Sequence, residues 1–193
     1  MILKNIIARH IANKDIFWLF NQVINSFNTK SQPNIGLPLG NLTSQLLVNV
    51  FMNEFDQFVK RELKAKHYIR YADDFVFLSH DRKQLEGYVE PISRFLSDKL
   101  NLELHPKKLY IKTLSSSLDF QGWVHFPYHR VIRTKTKHRI LRRLEKNFNN
   151  DSFQSYLGVL SHGNTYKIRR RLHDKLKIPR DPLRGKRSKN QRG

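Results

Sequence analysis

The sequence predicts an α+β fold, with helices at both ends of the chain and small antiparallel sheet elements between them. Three observations lead there. Apolar residues recur at helical spacing near the start (Ile2, Leu3, Ile6, Ile7 and Ile11, then Phe17, Phe20, Val23, Ile24 and Phe27) and again at Leu46, Val50, Phe51, Phe55, Phe58, Val59 and Leu63. Two short apolar runs, 67–71 and 75–79, flank a pair of adjacent aspartates with the spacing of a β-hairpin. After His138 the pattern turns helical again.

The elements follow in order. The first two helices break over 13–15, where Asp15 is expected as the cap of the second. Residues 28–34, with Ser31 and Pro33, read as a loop leading into Ile35-Gly36-Leu37-Pro38-Leu39-Gly40-Asn41-Leu42-Thr43-Ser44-Gln45. Gly36 and Gly40 bracket Pro38, so backbone can approach a ligand closely at a stiffened turn, and the helix that follows offers free amides at its start. A plain loop with Asn41 or Thr43 as cap satisfies the same pattern. Asp81 and Gln84 form a capping-box pattern for a helix through Leu100, with a kink at Pro91. Alternating runs over 102–104, 109–114, 118–126 and 131–133 read as strands, and the chain from Pro179 onward is expected to be disordered.

Composition narrows the function. With 193 residues, 39% hydrophobic and 11% aromatic, the chain can bury a sizeable core. Its net charge of +20 calls for a polyanionic partner, and nucleic acid is the obvious one. The absence of cysteine excludes disulfides, cysteine-based zinc sites and thiol nucleophiles, and suits a cytoplasmic location. No apolar stretch approaches the ~20 residues of a membrane span, and the N-terminus lacks the pattern of a signal peptide. His125, His129 and His138 lack a regular ligand spacing, so no zinc site is assigned.

Asp73 and Asp74 carry the chemistry. Side-by-side anions repel unless a cation or proton is shared between them, and a hairpin tip fixes both without burying either. Their hard oxygens suit Mg²⁺, with water and substrate phosphates filling the remaining positions. Asp73 is the candidate for direct metal ligation and Asp74 for a supporting role, because strand alternation aims the two side chains differently. A solvated Asp-Asp turn is the simpler alternative.

Company decides between them. A Gly-Pro-Gly loop opening a helix, the Tyr71-Ala72-Asp73-Asp74 hairpin, a helix, His105-Pro106-Lys107-Lys108, Phe120-Gln121-Gly122-Trp123 and a basic helical tail occur in one order. That order resembles the palm and thumb of reverse transcriptases, from about Ile2 to about Leu176. The resemblance implies a palm, an antiparallel sheet packed on helices, over 1–134, a helical thumb over 135–178 and a basic tail over 179–193. The thumb resemblance lies in Ser155-Tyr156-Leu157-Gly158, Ser161-His162-Gly163-Asn164 and Tyr166-Lys167-Ile168-Arg169.

By the same resemblance, Asp73 and Asp74 hold two Mg²⁺ ions, and Gly36, Pro38, Gly40, Ser44 and Gln45 meet the nucleotide or templating base. Tyr71 either flanks the primer terminus or is a core tyrosine. Lys108 approaches the pyrophosphate leaving group, unless it is one more solvated lysine among 36 basic residues. Phe120, Gly122 and Trp123 resemble the grip on the primer 3′ end, with a strand and bulge glycine as the alternative. Group II intron-like and retron enzymes usually carry Gln-Gly and Ser-Pro in this loop, whereas the form Ile35-Gly36 with Ser44-Gln45 looks like that of diversity-generating retroelements and their close bacterial relatives, in which the altered loop is associated with loose copying of template adenines.

A further carboxylate of the Asp-Ile-x-x-Phe-Phe type and the fingers are expected upstream in this family, and the sequence contains neither. The expectation is therefore an N-terminally truncated RNA-directed DNA polymerase, inactive alone, whose partners are template RNA, a DNA primer, dNTP and an accessory protein or separately encoded N-terminal part. A non-catalytic basic RNA/DNA-binding remnant is the alternative, and a ribosome-associated basic protein a weaker one.

Overall fold

The computed structural model describes residues 2–26 and 42–176, so Gly36, Pro38, Gly40 and the tail over 179–193 lie outside the described residues. Helices and two small antiparallel sheets form two compact units, Met1–Ile111 and Lys112–Gly193.

In the first unit, α1 (Ile2–His10) and α2 (Lys14–Asn25) precede α3 (Leu42–Arg61), the central helix. Phe55 of α3 is fully buried and meets the rings of Phe58, Tyr68, Phe75 and Phe95. Those partners come from α3 itself, from the hairpin β1 (His67–Tyr71) and β2 (Asp74–Leu78), and from α4 (Arg82–Phe95). Alternation explains the hairpin: Tyr68 pairs with Phe77 and Arg70 with Phe75, and these half-buried residues form the face toward the helices. Ile69, Tyr71 and Leu78 of the opposite face are exposed. Ile6, Met52, Val59, Ile92, Leu96 and Leu100 complete the core.

In the second unit, β3 (Leu118–Phe120), β4 (Trp123–His125) and β5 (Arg130–Ile132) form a three-stranded antiparallel sheet in sequence order. α5 (Thr134–Lys146), α6 (Asn150–Leu160) and α7 (Tyr166–Leu176) follow. Ile132 from the sheet joins Ile140, Leu141, Leu144, Phe153, Leu157, Leu160 and Leu172 in one core, with Trp123 packed against it.

Local expectations fare unevenly. Asn13, not Asp15, caps α2: its side chain accepts from the amides of Asp15 and Ile16 at 2.9 and 3.1 Å. Asp81 does cap α4 by accepting from the Lys83 amide, but Gln84 does not close the box. Ser79 intervenes, its Oγ accepting from the Asp81 amide at 3.0 Å while donating to Gln84 Oε1 at 2.6 Å. α4 runs through Pro91 to Phe95 and continues as a π-helical turn over Leu96–Leu100, ended by Asn101 in the left-handed conformation. The runs over 102–104 and 109–114 form no strand, because no described segment pairs with them, and Leu114 opens a 3₁₀ turn. The run over 118–126 is two strands of a hairpin rather than one.

Candidate active site

β1 and β2 stay paired to their ends, where Tyr71 lies opposite Asp74 and only Ala72 and Asp73 turn the chain. Asp74 therefore belongs to the strand and Asp73 to the tip, and both carboxylates are exposed. Two-residue hairpin connections need a left-handed residue, a place usually taken by Gly, Asn or Asp. Here Ala72 adopts it, at φ 53°. For an L-residue with a Cβ that conformation is unfavourable by about 1–2 kcal/mol.

Arg70 counters it. Its Nη1 donates to the Ala72 carbonyl at 2.8 Å and to Asn49 Oδ1 at 3.2 Å. Its Nε and Nη2 donate to the two oxygens of Asp56 on α3 at 2.8 and 2.6 Å, a bidentate pair with both side chains largely buried. Tyr68 donates to the same carboxylate at 2.8 Å. Burial alone pushes the Asp56 carboxyl up, but the hydrogen bonds from Arg70 and Tyr68 and the guanidinium charge outweigh it and hold it below the usual carboxylate range. The hydrogen bond to Asp56 raises Arg70, while burial and then its own hydrogen bond to Asp56 push Tyr68 up. Sequence reasoning missed this bracket. Its signal was Arg70 standing one residue before the motif at an inward-facing strand position.

The other expected residues fall at several places. Ser44 and Gln45 lie in the first turn of α3, Ser44 buried with no hydrogen-bond partner for its Oγ among the described residues and Gln45 exposed. Tyr71 is 60% exposed, so it is not a core tyrosine. Lys108 is exposed in a 3₁₀ turn, Pro106–Lys108, capped by His105 Nδ1 accepting from the Lys107 amide at 3.2 Å.

Phe120 and Trp123 pair across the β3 and β4 hairpin, and Gln121 and Gly122 turn it with φ values of 54° and 77°. Gly122 is thus a turn glycine, not a bulge. The Trp123 ring lies against Gly163 and under the Arg130 guanidinium, 5.1 Å from the ring centroid. The Arg130 Nε donates to the His162 carbonyl, which ties the ring's cover to the turn after α6.

Two adjacent carboxylates on a held turn fit Mg²⁺, which takes one or two protein carboxylates and completes its shell with water and phosphate oxygens. Among the described residues, no group of three or more metal-ligating side chains converges. The second unit carries a basic surface. α5 buries Ile140, Leu141 and Leu144 and exposes Lys135, Arg139, Arg142, Arg143 and Lys146, while α7 exposes Lys167, Arg170 and Arg171. No described helix is long and apolar enough to cross a membrane.

An acidic hairpin tip in a chain this basic belongs with proteins that work on nucleic acid. The family model described as "Reverse transcriptase (RNA-dependent DNA polymerase)" matches residues 2–159, and the chain belongs to that family. It is also similar to Protein YkfC of Escherichia coli (strain K12), 29% identical over 139 residues, covering 55% of this chain and 35% of YkfC. The chain thus spans about a third of that relative's length.

Proposed function

We propose that this chain supplies palm and thumb parts of an RNA-directed DNA polymerase, in which a primer 3′-hydroxyl attacks the α-phosphate of a dNTP on an RNA template and pyrophosphate leaves. The observation that carries the reading is the Tyr71-Ala72-Asp73-Asp74 turn, exposed at its carboxylates and held from beneath, in a chain matching the family over 2–159. Residues 1–134 serve as palm and 135–178 as thumb, with the basic faces of α5 and α7 following duplex phosphates.

Asp73 and Asp74 act as Mg²⁺ ligands, Asp73 the more direct of the two. Magnesium, when bound, neutralises phosphate charge and makes the attacking hydroxyl more acidic. Lys108 neutralises or protonates the pyrophosphate oxygen as it departs. Gly36, Pro38, Gly40, Ser44 and Gln45 line the nucleotide and template position, and exposed Tyr71 flanks the primer terminus. Phe120, Gly122 and Trp123 grip the primer end by backbone, since the Trp123 ring is packed against Gly163 and Arg130. The Ile35-Gly36 and Ser44-Gln45 form points to a retroelement-type bacterial enzyme, working with an accessory protein.

Two-ion chemistry draws on a further carboxylate, of the Asp-Ile-x-x-Phe-Phe type in this family, beside Asp73 and Asp74. The test is primer extension on an RNA template with dNTP and Mg²⁺, using the chain joined to a reverse-transcriptase segment that carries the Asp-Ile-x-x-Phe-Phe motif. Incorporation that disappears in Asp73→Asn is the expected result. Salt-sensitive binding without incorporation in the joined form would favour a non-catalytic nucleic-acid-binding role.

A further inference from the structure

We propose that Arg70 is a positioning residue for Asp73, acting through the Ala72 carbonyl, and that Asp56 anchors it to the core of α3. The inference rests on the reading of Asp73 as a metal ligand and names what aims it.

The path is continuous. Phe55 and Val59, the neighbours of Asp56 along α3, are fully buried, so the Asp56 backbone has little freedom. Asp56 takes two parallel hydrogen bonds from Arg70, at 2.8 and 2.6 Å, and a planar guanidinium held this way has one orientation left. Its remaining edge then meets the Ala72 carbonyl at 2.8 Å. That carbonyl and the Asp73 amide nitrogen belong to one planar peptide unit, so fixing its plane fixes the direction in which Asp73 leaves the turn. Without the bond, the left-handed Ala72 is free to relax toward ordinary backbone and swing Asp73 away.

Charge matters equally. An arginine this close to two aspartates would ordinarily pair with them and exclude a metal. Its side chain is 10% exposed, and its hydrogen bonds go to Asp56, Asn49 and the Ala72 carbonyl, leaving the carboxylates of Asp73 and Asp74 open to a cation. Lysine cannot replace it. An ammonium has charge but no fork that reaches a carboxylate bidentately and a carbonyl together.

The test uses the full chain labelled with ¹⁵N and titrated with Mn²⁺, whose unpaired electrons broaden nearby amide signals. Wild type should lose the Asp73 and Asp74 amide signals first, and Asp73→Asn should abolish that selectivity. Arg70→Lys should keep the dispersed spectrum, shift the Ala72 and Asp73 amides, speed hydrogen exchange at Asp73 and need at least tenfold more Mn²⁺. Asp56→Asn should reproduce those changes, and it carries the test should Arg70→Lys fail to fold. Wild-type shifts and exchange at Asp73 in the variant would overturn the positioning role, whatever the metal does. Failure of Asp73→Asn to alter broadening would instead overturn the metal reading, while the amide shifts and exchange still decide the role of Arg70.

Discussion

The two hairpin tips share a left-handed residue with a Cβ at the first turn position, Ala72 at φ 53° and Gln121 at φ 54°, and differ at the second, Asp73 in one and Gly122 in the other. At Gln121 and Gly122 both residues have positive φ, and glycine takes the more extreme value at no steric cost. At Ala72 and Asp73 the left-handed residue has a Cβ, and an arginine bonded to a buried helix holds its carbonyl. Arg133 stands near the second tip in a comparable place: its side chain pairs with Asp119 and its amide donates to the Gly122 carbonyl at 3.0 Å. That pair is much more exposed than Arg70 and Asp56. Both tips thus have an arginine bonded beside them, and the tip that presents carboxylates has the more deeply buried bracket.

The sharpest way to break the contrast is Asp56→Asn, which leaves Arg70 without its anion and should destabilise the first unit by about 2–3 kcal/mol in urea unfolding. The pH dependence has a definite sign. Asp56 is held below its unfolded value, ~3.9, so its contribution is complete above that value and fades as pH falls through the folded one. Wild-type stability should therefore fall more steeply than that of the variant as pH drops below about 4. An equal slope in both would mean that the bracket contributes nothing.

Gly163→Ala probes the second unit, since a Cβ there would stand 2.2 Å from the Trp123 ring and 2.9 Å from the Arg130 carbonyl. A loss of about 2 kcal/mol, with a changed tryptophan emission, is expected from such overpacking. Exchanging the tip residues gives smaller effects of opposite sign. Gly122→Ala should lose about 1 kcal/mol to positive φ, for the added Cβ meets only Thr136 Oγ1 at 3.6 Å. Ala72→Gly should gain about 0.5 kcal/mol, the relief of strain being offset by the chain entropy of glycine, and thermal melts would show both.

The same contrast explains what was legible beforehand. Periodicity gave α1, α2, α3 and the hairpin within a few residues, because α1, α3 and the hairpin each turn one regular face inward and α2 half-buries Phe17, Phe20, Val23 and Ile24. The carboxylate pair was readable because the glycine loop, the turn lysines and the Gly-Trp segment accompany it in order, whereas alone it fits a solvated turn as well. The bracket was not, since Asp56 and Arg70 stand 14 residues apart and only packing of β1 on α3 brings them together. Asp81 caps α4 as expected, but Asn13 takes the cap of α2 two residues ahead of Asp15, and Ser79 takes the Asp81 amide that a capping box would give to Gln84. Strands over 102–104 and 109–114 had the pattern but found no described partner, and strands form in pairs.

The most direct measurement is iron-mediated cleavage, in which Fe²⁺ takes the place of Mg²⁺ and the radicals it generates cut the nearest backbone. With ascorbate and peroxide, the chain should be cut beside Ala72, Asp73 and Asp74, with cutting suppressed by excess Mg²⁺ and lost in Asp73→Asn. Cleavage spread evenly along the chain, or undiminished in that variant, would contradict the assignment of a divalent ion to this turn.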